Sequence, residues 1–155
     1  MNPLPRIALW LASQPWFMRA AKVVPPLDKR LYRLTGGRVS LLGLASLPSM
    51  RLTTIGRKSG LERSVNLLYF PYGDRYVLIA SNWGKPDDPQ WARNLRAEPK
   101  ATVEVRRRRV PVLATEVTGE RYESLWREVL EFWPGYAMER SVAGRELPLF
   151  ILERR

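Results

Sequence analysis

At 155 residues and 45% hydrophobic content, the chain is sized for one folded domain with a real core. It has no Cys and no His, which excludes disulfides, thiolate nucleophiles and the usual zinc sites, and removes the commonest general base near neutral pH. A formal charge of +11, from 26 Lys and Arg against 15 Asp and Glu, favours an anionic partner: nucleic acid, an acidic membrane surface or a phosphorylated small molecule.

Residues 3–24 mix Trp10, Leu11, Phe17 and Met18 with Arg6, Arg19 and Lys22. That mixture fits a basic interfacial helix, or equally an amphipathic arm packing on the body or on a second subunit. Pro25 and Pro26 are expected to end it. Asp28 is placed to cap a helix over 29–35, which Gly36 and Gly37 stop. Residues 1–38, with seven basic residues against one acidic, read as a basic helical N-terminal arm ahead of a body at 39–155. The apolar runs 7–12 and 39–50 are too short to span a bilayer, and the N-terminus makes a poor signal peptide. The expectation is a soluble cytoplasmic protein with scope for peripheral contact at the inner face of the cell membrane.

Residues 39–47 are apolar without clear alternation and do not choose between helix and strand. From residue 50 the pattern turns β, with strands at 50–54, 63–70 and 75–81 and turns at 55–60 and 71–74. The second and third strands are expected to form an antiparallel hairpin. A short helix at 89–97 has Asp87 or Asp88 for its cap and Pro99 beyond its end. Strands at 101–107 and 110–116 flank the basic run 106–109, best explained as a solvated turn. A helix from 118 to about 132, capped by Thr118, breaks at Trp133-Pro134-Gly135-Tyr136. A short helical segment then leads to a closing strand at 148–152. Mostly local antiparallel strands with helices inserted late suggest a small barrel with peripheral helices. A doubly wound sheet would need regular βα alternation, which is absent.

Gly56-Arg57-Lys58-Ser59-Gly60 is the strongest local feature. Glycines at both ends allow a tight turn whose amides face a ligand, and Arg57 and Lys58 add a fork-shaped donor and a point charge suited to phosphate. Thr54 and Arg63 flank it. An ordinary solvated basic turn explains so short a run equally well. Asn82-Trp83-Gly84 follows a strand end, where the indole could shelter a heterocycle and Asn82 could bond ring carbonyls. Trp91 and Asn94 lie on one side of a helix, and Trp91 serves either as core anchor or as ligand wall. Tyr136 could donate to a substrate oxygen or pin the last strand. The acids show no paired spacing, and no metal site is expected. Nothing follows an RNA-binding or helix-turn-helix pattern, so nucleic acid is not the expected partner.

The order LTTIGRKSG, then a hairpin, then ASNWG, PQW and NLRAEP, followed by WPGY and GRELPLF, resembles the deazaflavin-dependent nitroreductase and quinone reductase family, from about Pro26 to Leu152. The resemblance implies a split β-barrel of the FMN-binding type with peripheral helices. It implies coenzyme F-420, an 8-hydroxy-5-deazaflavin with an anionic tail, with FMN as the alternative. Arg57, Lys58, Arg63 and the amides of Ser59 and Gly60 would then hold the phosphate. Thr54, Ala80, Ser81, Asn82, Trp83, Gly84, Trp91 and Asn94 would complete the cofactor site. Ser81, Trp133 and Tyr136 would stand at the acceptor, a quinone such as menaquinone or a nitroaromatic compound. A homodimer is compatible with this fold. The family often carries a second Tyr near Glu139, and in some members a smaller residue at Trp83; both departures bear on acceptor range.

Overall fold

The computed structural model describes residues 10, 14, 16, 19, 23–37, 39 and 47–155. In chain order these hold α1 (Val24–Leu34), β1 (Ser49–Ile55), β2 (Glu62–Leu68), β3 (Phe70–Tyr72) and β4 (Arg75–Ile79). A single 3-10 turn (Asn82–Gly84) and α2 (Gln90–Ala97) come next, before the hairpin of β5 (Lys100–Val105) and β6 (Arg108–Val117). Then follow α3 (Gly119–Phe132), α4 (Gly135–Ala143) and β7 (Leu149–Arg154).

The strands form one antiparallel sheet in the order β2-β1-β5-β6-β7-β4-β3, curled into a split β-barrel with helices around it. The closing strand β7 lies inside the sheet, paired with β6 on one side and β4 on the other. Both β4 and β7 are buried on two faces. Val77, Ile79, Leu149 and Ile151 pack with Leu125, Trp126 and Val129 of α3, while Leu78, Phe150 and Leu152 pack with Leu52, Val103 and Trp91. This explains why these strands read as unbroken apolar runs rather than alternating ones. Each such side chain contributes roughly 1.5–3 kcal/mol of burial. The second cluster seats α2, whose Trp91, Ala92 and Leu95 share its buried side.

The expected strand 63–70 is two strands. β2 pairs with β1 from Ile55↔Glu62 to Ser49↔Leu68, whereas β3 pairs with β4 from Phe70↔Val77 to Tyr72↔Arg75. Between them Tyr69 donates its N–H to the Pro48 carbonyl, at the point where one continuous stretch passes between opposite edges of the curled sheet. Pro71 and Tyr72 consequently lie in β3, and the turn shrinks to Gly73 and Asp74.

Three expected helix signals also act differently. Pro25 and Pro26 lie in the first turn of α1, which has no use for their missing N–H groups, while most of any helix they would end falls outside the described residues. Asp28 lies inside α1, buried, and its Oδ2 accepts from Asn66 Nδ2 at 2.8 Å. With the Arg51 guanidinium 4.4 Å above the Tyr32 ring, that bond docks α1 on the β1–β2 face. Neither Asp87 nor Asp88 caps α2, whose first position follows Pro89, because Asp88 is drawn to Arg96 and Arg145 instead. Thr118 does occupy the cap position of α3, though without a side-chain bond. Most of the expected arm before residue 23, and most of 39–47, falls outside the described residues. No helix among the described residues is long and apolar enough to cross a membrane.

Candidate functional site

The turn joining β1 to β2 is closed by Gly56 N–H donating to the Leu61 carbonyl at 2.7 Å and by Gly60 N–H donating to the Gly56 carbonyl at 2.7 Å. Ser59 Oγ accepts from Leu61 N–H at 3.2 Å. A Cβ on Gly56 would meet Ser59 Oγ at 2.6 Å, and Gly60 has a φ of +69°, so the turn favours glycine at both positions. The Gly60 amide is therefore used inside the turn and is not offered to a phosphate, contrary to expectation. Among the described residues, the N–H groups of Lys58 and Ser59 take no part in the turn's own backbone bonds.

Helix α2 stands behind this turn and fixes it. The Asn94 amide is buried, donating Nδ2–H to Thr54 Oγ1 at 3.1 Å while its Oδ1 accepts from Arg57 N and Arg57 Nη1, each at 3.2 Å. Gln90 Oε1 accepts a second bond from Arg57 Nη1 at 2.8 Å. Between turn and helix opens a cleft of about 430 Å³ that brings together Thr54, Arg57, Lys58, Ser59, Arg63, Trp91 and Asn94, with Gln90 and Ser64 added. Trp91 lines the cleft and stands edge-on to Phe150 in the core, with ring centroids 5.7 Å apart. Among the described residues, Arg57, Lys58 and Arg63 have no carboxylate partner. Three uncompensated cations, a hydroxyl and an aromatic wall form the donor set that a phosphate-bearing heterocycle needs.

The remaining expected residues do not line that cleft. Ala80 is fully buried and donates its N–H to the Pro148 carbonyl. Asn82 and Trp83 adopt left-handed backbone, with φ of 50° and 57°, a strain held by Asn82 Nδ2 donating to the Asp87 carbonyl at 2.8 Å. The loop is tied down by Arg145, which sequence reasoning did not single out. Its guanidinium donates to the carbonyls of Ala80, Ser81, Lys85 and Asp87 and pairs with Asp88 at 2.8 Å. Asp88 in turn holds Arg96, which forks onto Glu116 at 2.7 and 2.8 Å. Only the conjunction of a cation with a helix–strand junction hinted at Arg145, because its partners are backbone carbonyls.

Ser81 instead faces α4. Trp133 and Tyr136 are both buried, and with Phe132 and Ile79 they line an apolar crevice of only about 10 Å³. Burial, and then the neighbouring Glu139, push the Tyr136 hydroxyl above its ordinary range. Glu139 is itself buried; desolvation pushes its carboxyl up to about 7, with a hydrogen bond from Ser81 pulling the other way.

The profile of a family described as F420H2-dependent quinone reductase matches residues 27–154. An F420H2-dependent quinone reductase of Mycobacterium tuberculosis is 34% identical over 132 residues, covering 83% of this chain and 89% of that protein. A solved F420-H2 dependent reductase shares 34% identity at a TM-score of 0.62, covering 68% of this chain and 94% of its own. Another solved structure, described as a domain-swapped dimer, shares 30% identity at a TM-score of 0.64, covering 82% of this chain and 96% of its own. The chain belongs to the F420H2-dependent quinone reductase family and is an oxidoreductase that passes hydride from reduced coenzyme F-420 to an acceptor.

Proposed function

We propose that the cleft between the β1–β2 turn and α2 holds the anionic tail of coenzyme F-420, and that the acceptor is a lipidic quinone of the menaquinone type. The observation that carries this is the set of Arg57, Lys58 and Arg63 around one cleft with no carboxylate to neutralise them. Arg57 is aimed by Asn94 and Gln90, so its fork is set before a ligand arrives. Lys58 supplies a point charge and Ser59 a hydroxyl, while Trp91 gives a flat wall.

When bound, the coenzyme supplies a hydride from the central carbon of its ring, which is chemistry no side chain can supply. The chain's part is orientation and charge. We read Ser81 as the hydroxyl that meets the acceptor oxygen, where a donor would stabilise the negative charge that hydride addition creates. Trp133 and Tyr136 shape that side as buried walls. Residues 1–38 are read as an arm that brings the barrel to a membrane surface, supported by exposed Trp10, Trp16 and Leu34 among its basic residues. Pairing of two copies is supported by the dimeric relative.

The test is a titration of the protein with oxidised and reduced F-420, FMN and FAD, beside an Arg57→Ala, Lys58→Ala double variant. Tight F-420 binding that the variant loses places the tail in this cleft. Undiminished binding by the variant removes the tail from it, and FMN binding in place of F-420 overturns the cofactor assignment. A companion assay compares menaquinone in vesicles with a soluble naphthoquinone. Equal rates with and without residues 1–22 would refute a membrane role for the arm.

A further inference from the structure

Among the described residues, Glu139 Oε2 is the one buried side-chain polar atom without a hydrogen-bond partner. Glu139 is only 9% exposed and lies on α4 one turn after Tyr136, where the helix packs against the loop carrying Ser81. A carboxylate so placed would be an uncompensated charge taken out of water. A neutral carboxyl avoids that cost and keeps a proton available inside the protein.

We propose that Glu139 is the proton reservoir of the acceptor side, passing its proton through the Ser81 hydroxyl as that hydroxyl protonates the acceptor oxygen. The proposal rests on the reading that Ser81 faces the acceptor. Hydride arrival brings the acceptor two electrons and one hydrogen, leaving a quinone-type oxygen anionic. The Ser81 Oγ–H bond breaks as the acceptor O–H bond forms. The Glu139 O–H bond breaks as Oγ–H re-forms, and the carboxylate left behind regains its proton from water.

The neighbouring groups leave Glu139 as the acid. On its own helix Tyr136 faces it, but burial and Glu139 itself hold that phenol's proton too tightly to release near neutrality. Arg140, next on α4, sits 5.1 Å over the Trp126 ring. From the loop after β4, Ser81 is the side chain that acts on the carboxyl, favouring its ionised form. Arg145, in the segment after α4, is committed to Asp88 and to loop carbonyls, and Asp88 also binds Arg96. Desolvation meanwhile keeps the Glu139 proton on up to about pH 7, where giving it up and regaining it are both easy.

The experiment compares the full-length protein with Glu139→Gln, Glu139→Asp and Ser81→Ala variants, each first checked for thermal melting and F-420 binding. Without cofactor, infrared difference spectra across pH should show a protonated carboxyl band titrating near neutrality, absent from Glu139→Gln. With reduced F-420 and menadione, wild-type kcat should fall as pH rises through neutrality. Glu139→Gln should lose roughly 10²-fold in kcat with a flat profile and KM little changed, and Glu139→Asp should recover part of it. If Ser81→Ala changes neither kcat nor profile, the underlying reading of Ser81 fails, and the proposal with it. A loss in Ser81→Ala beside an unaltered Glu139→Gln overturns the proposal alone, as does the absence of a titrating carboxyl band.

Discussion

The Arg145 guanidinium donates to the Ser81 carbonyl at 3.2 Å, joining residues 64 apart in the chain. The same fork reaches three further carbonyls of that loop and Asp88, so one side chain sets the path of the loop that bears Ser81 and the strained Asn82–Trp83 pair. Lysine cannot reproduce a planar fork of this kind. Arg145→Lys should lower stability by about 1.5–3 kcal/mol, read as a shift in urea midpoint, because several charge-assisted bonds go at once. Hydride transfer should slow while binding of the F-420 tail, proposed to rest on Arg57, Lys58 and Arg63, stays near wild type. Stopped-flow oxidation of bound reduced F-420 beside an equilibrium titration separates the two effects.

Asn94 and Arg57 touch each other yet should behave differently on truncation. Arg57 is exposed, so Arg57→Ala should leave stability within about 0.5 kcal/mol while weakening F-420 binding. Asn94→Ala strips partners from Thr54 Oγ1 and the Arg57 amide in a buried position, costing about 1–3 kcal/mol of stability as well as affinity. Paired denaturation and titration curves check this. Equal stability losses in both variants would mean that the turn is held by something other than α2.

Much of the barrel was legible because strand patterning is local. β1 alternates as a half-buried strand should, and the β5–β6 and β3–β4 hairpins follow their turns. What escaped was set by tertiary pairing. The break at Tyr69 depends on the Pro48 carbonyl, brought to its N–H by the fold, and Asp28 reads as a cap only until Asn66 is brought beside it. The basic half of the candidate site was visible in GRKSG, since charge and glycine spacing sit in one stretch. Arg145 and the buried setting of Glu139 were not, because carbonyl partners and desolvation leave no mark in the residue string. The same holds for Gly60, whose amide is used within the turn it seemed to open.

The β5–β6 turn offers a stability test away from the site. Arg106 and Arg107 both hold left-handed backbone, with φ of 49° and 64°, in a two-residue hairpin loop that Asn-Gly would suit far better. Removing the Cβ strain at Arg107, less the entropy cost of glycine, should leave an Arg106→Asn, Arg107→Gly variant about 1 kcal/mol more stable. That corresponds to a melting point roughly 2–4 °C higher for a chain of this length. Turnover should not change. An unchanged or lower melting point would show that the paired arginines contribute a contact which offsets their backbone strain.

Glu139 should also make folding stability depend on pH in the direction opposite to an ion-paired acid. Unfolded, its carboxyl titrates at its ordinary value of 4.5; folded, desolvation raises it to about 7. Between those values the native state keeps a proton that the unfolded chain has released, so stability falls as pH rises and levels off above about 7. The loss across the window is on the order of 3 kcal/mol for this one group. Urea denaturation of wild type and Glu139→Gln over this range isolates the contribution, because the other titrating groups are common to both. The difference between the two curves should have a negative slope between pH 4.5 and 7. Ser81→Ala should extend that slope to higher pH, since the Ser81 hydrogen bond favours the ionised form. A flat difference curve would mean that the carboxylate finds a partner in solution, which would also remove the cost that keeps a proton on Glu139.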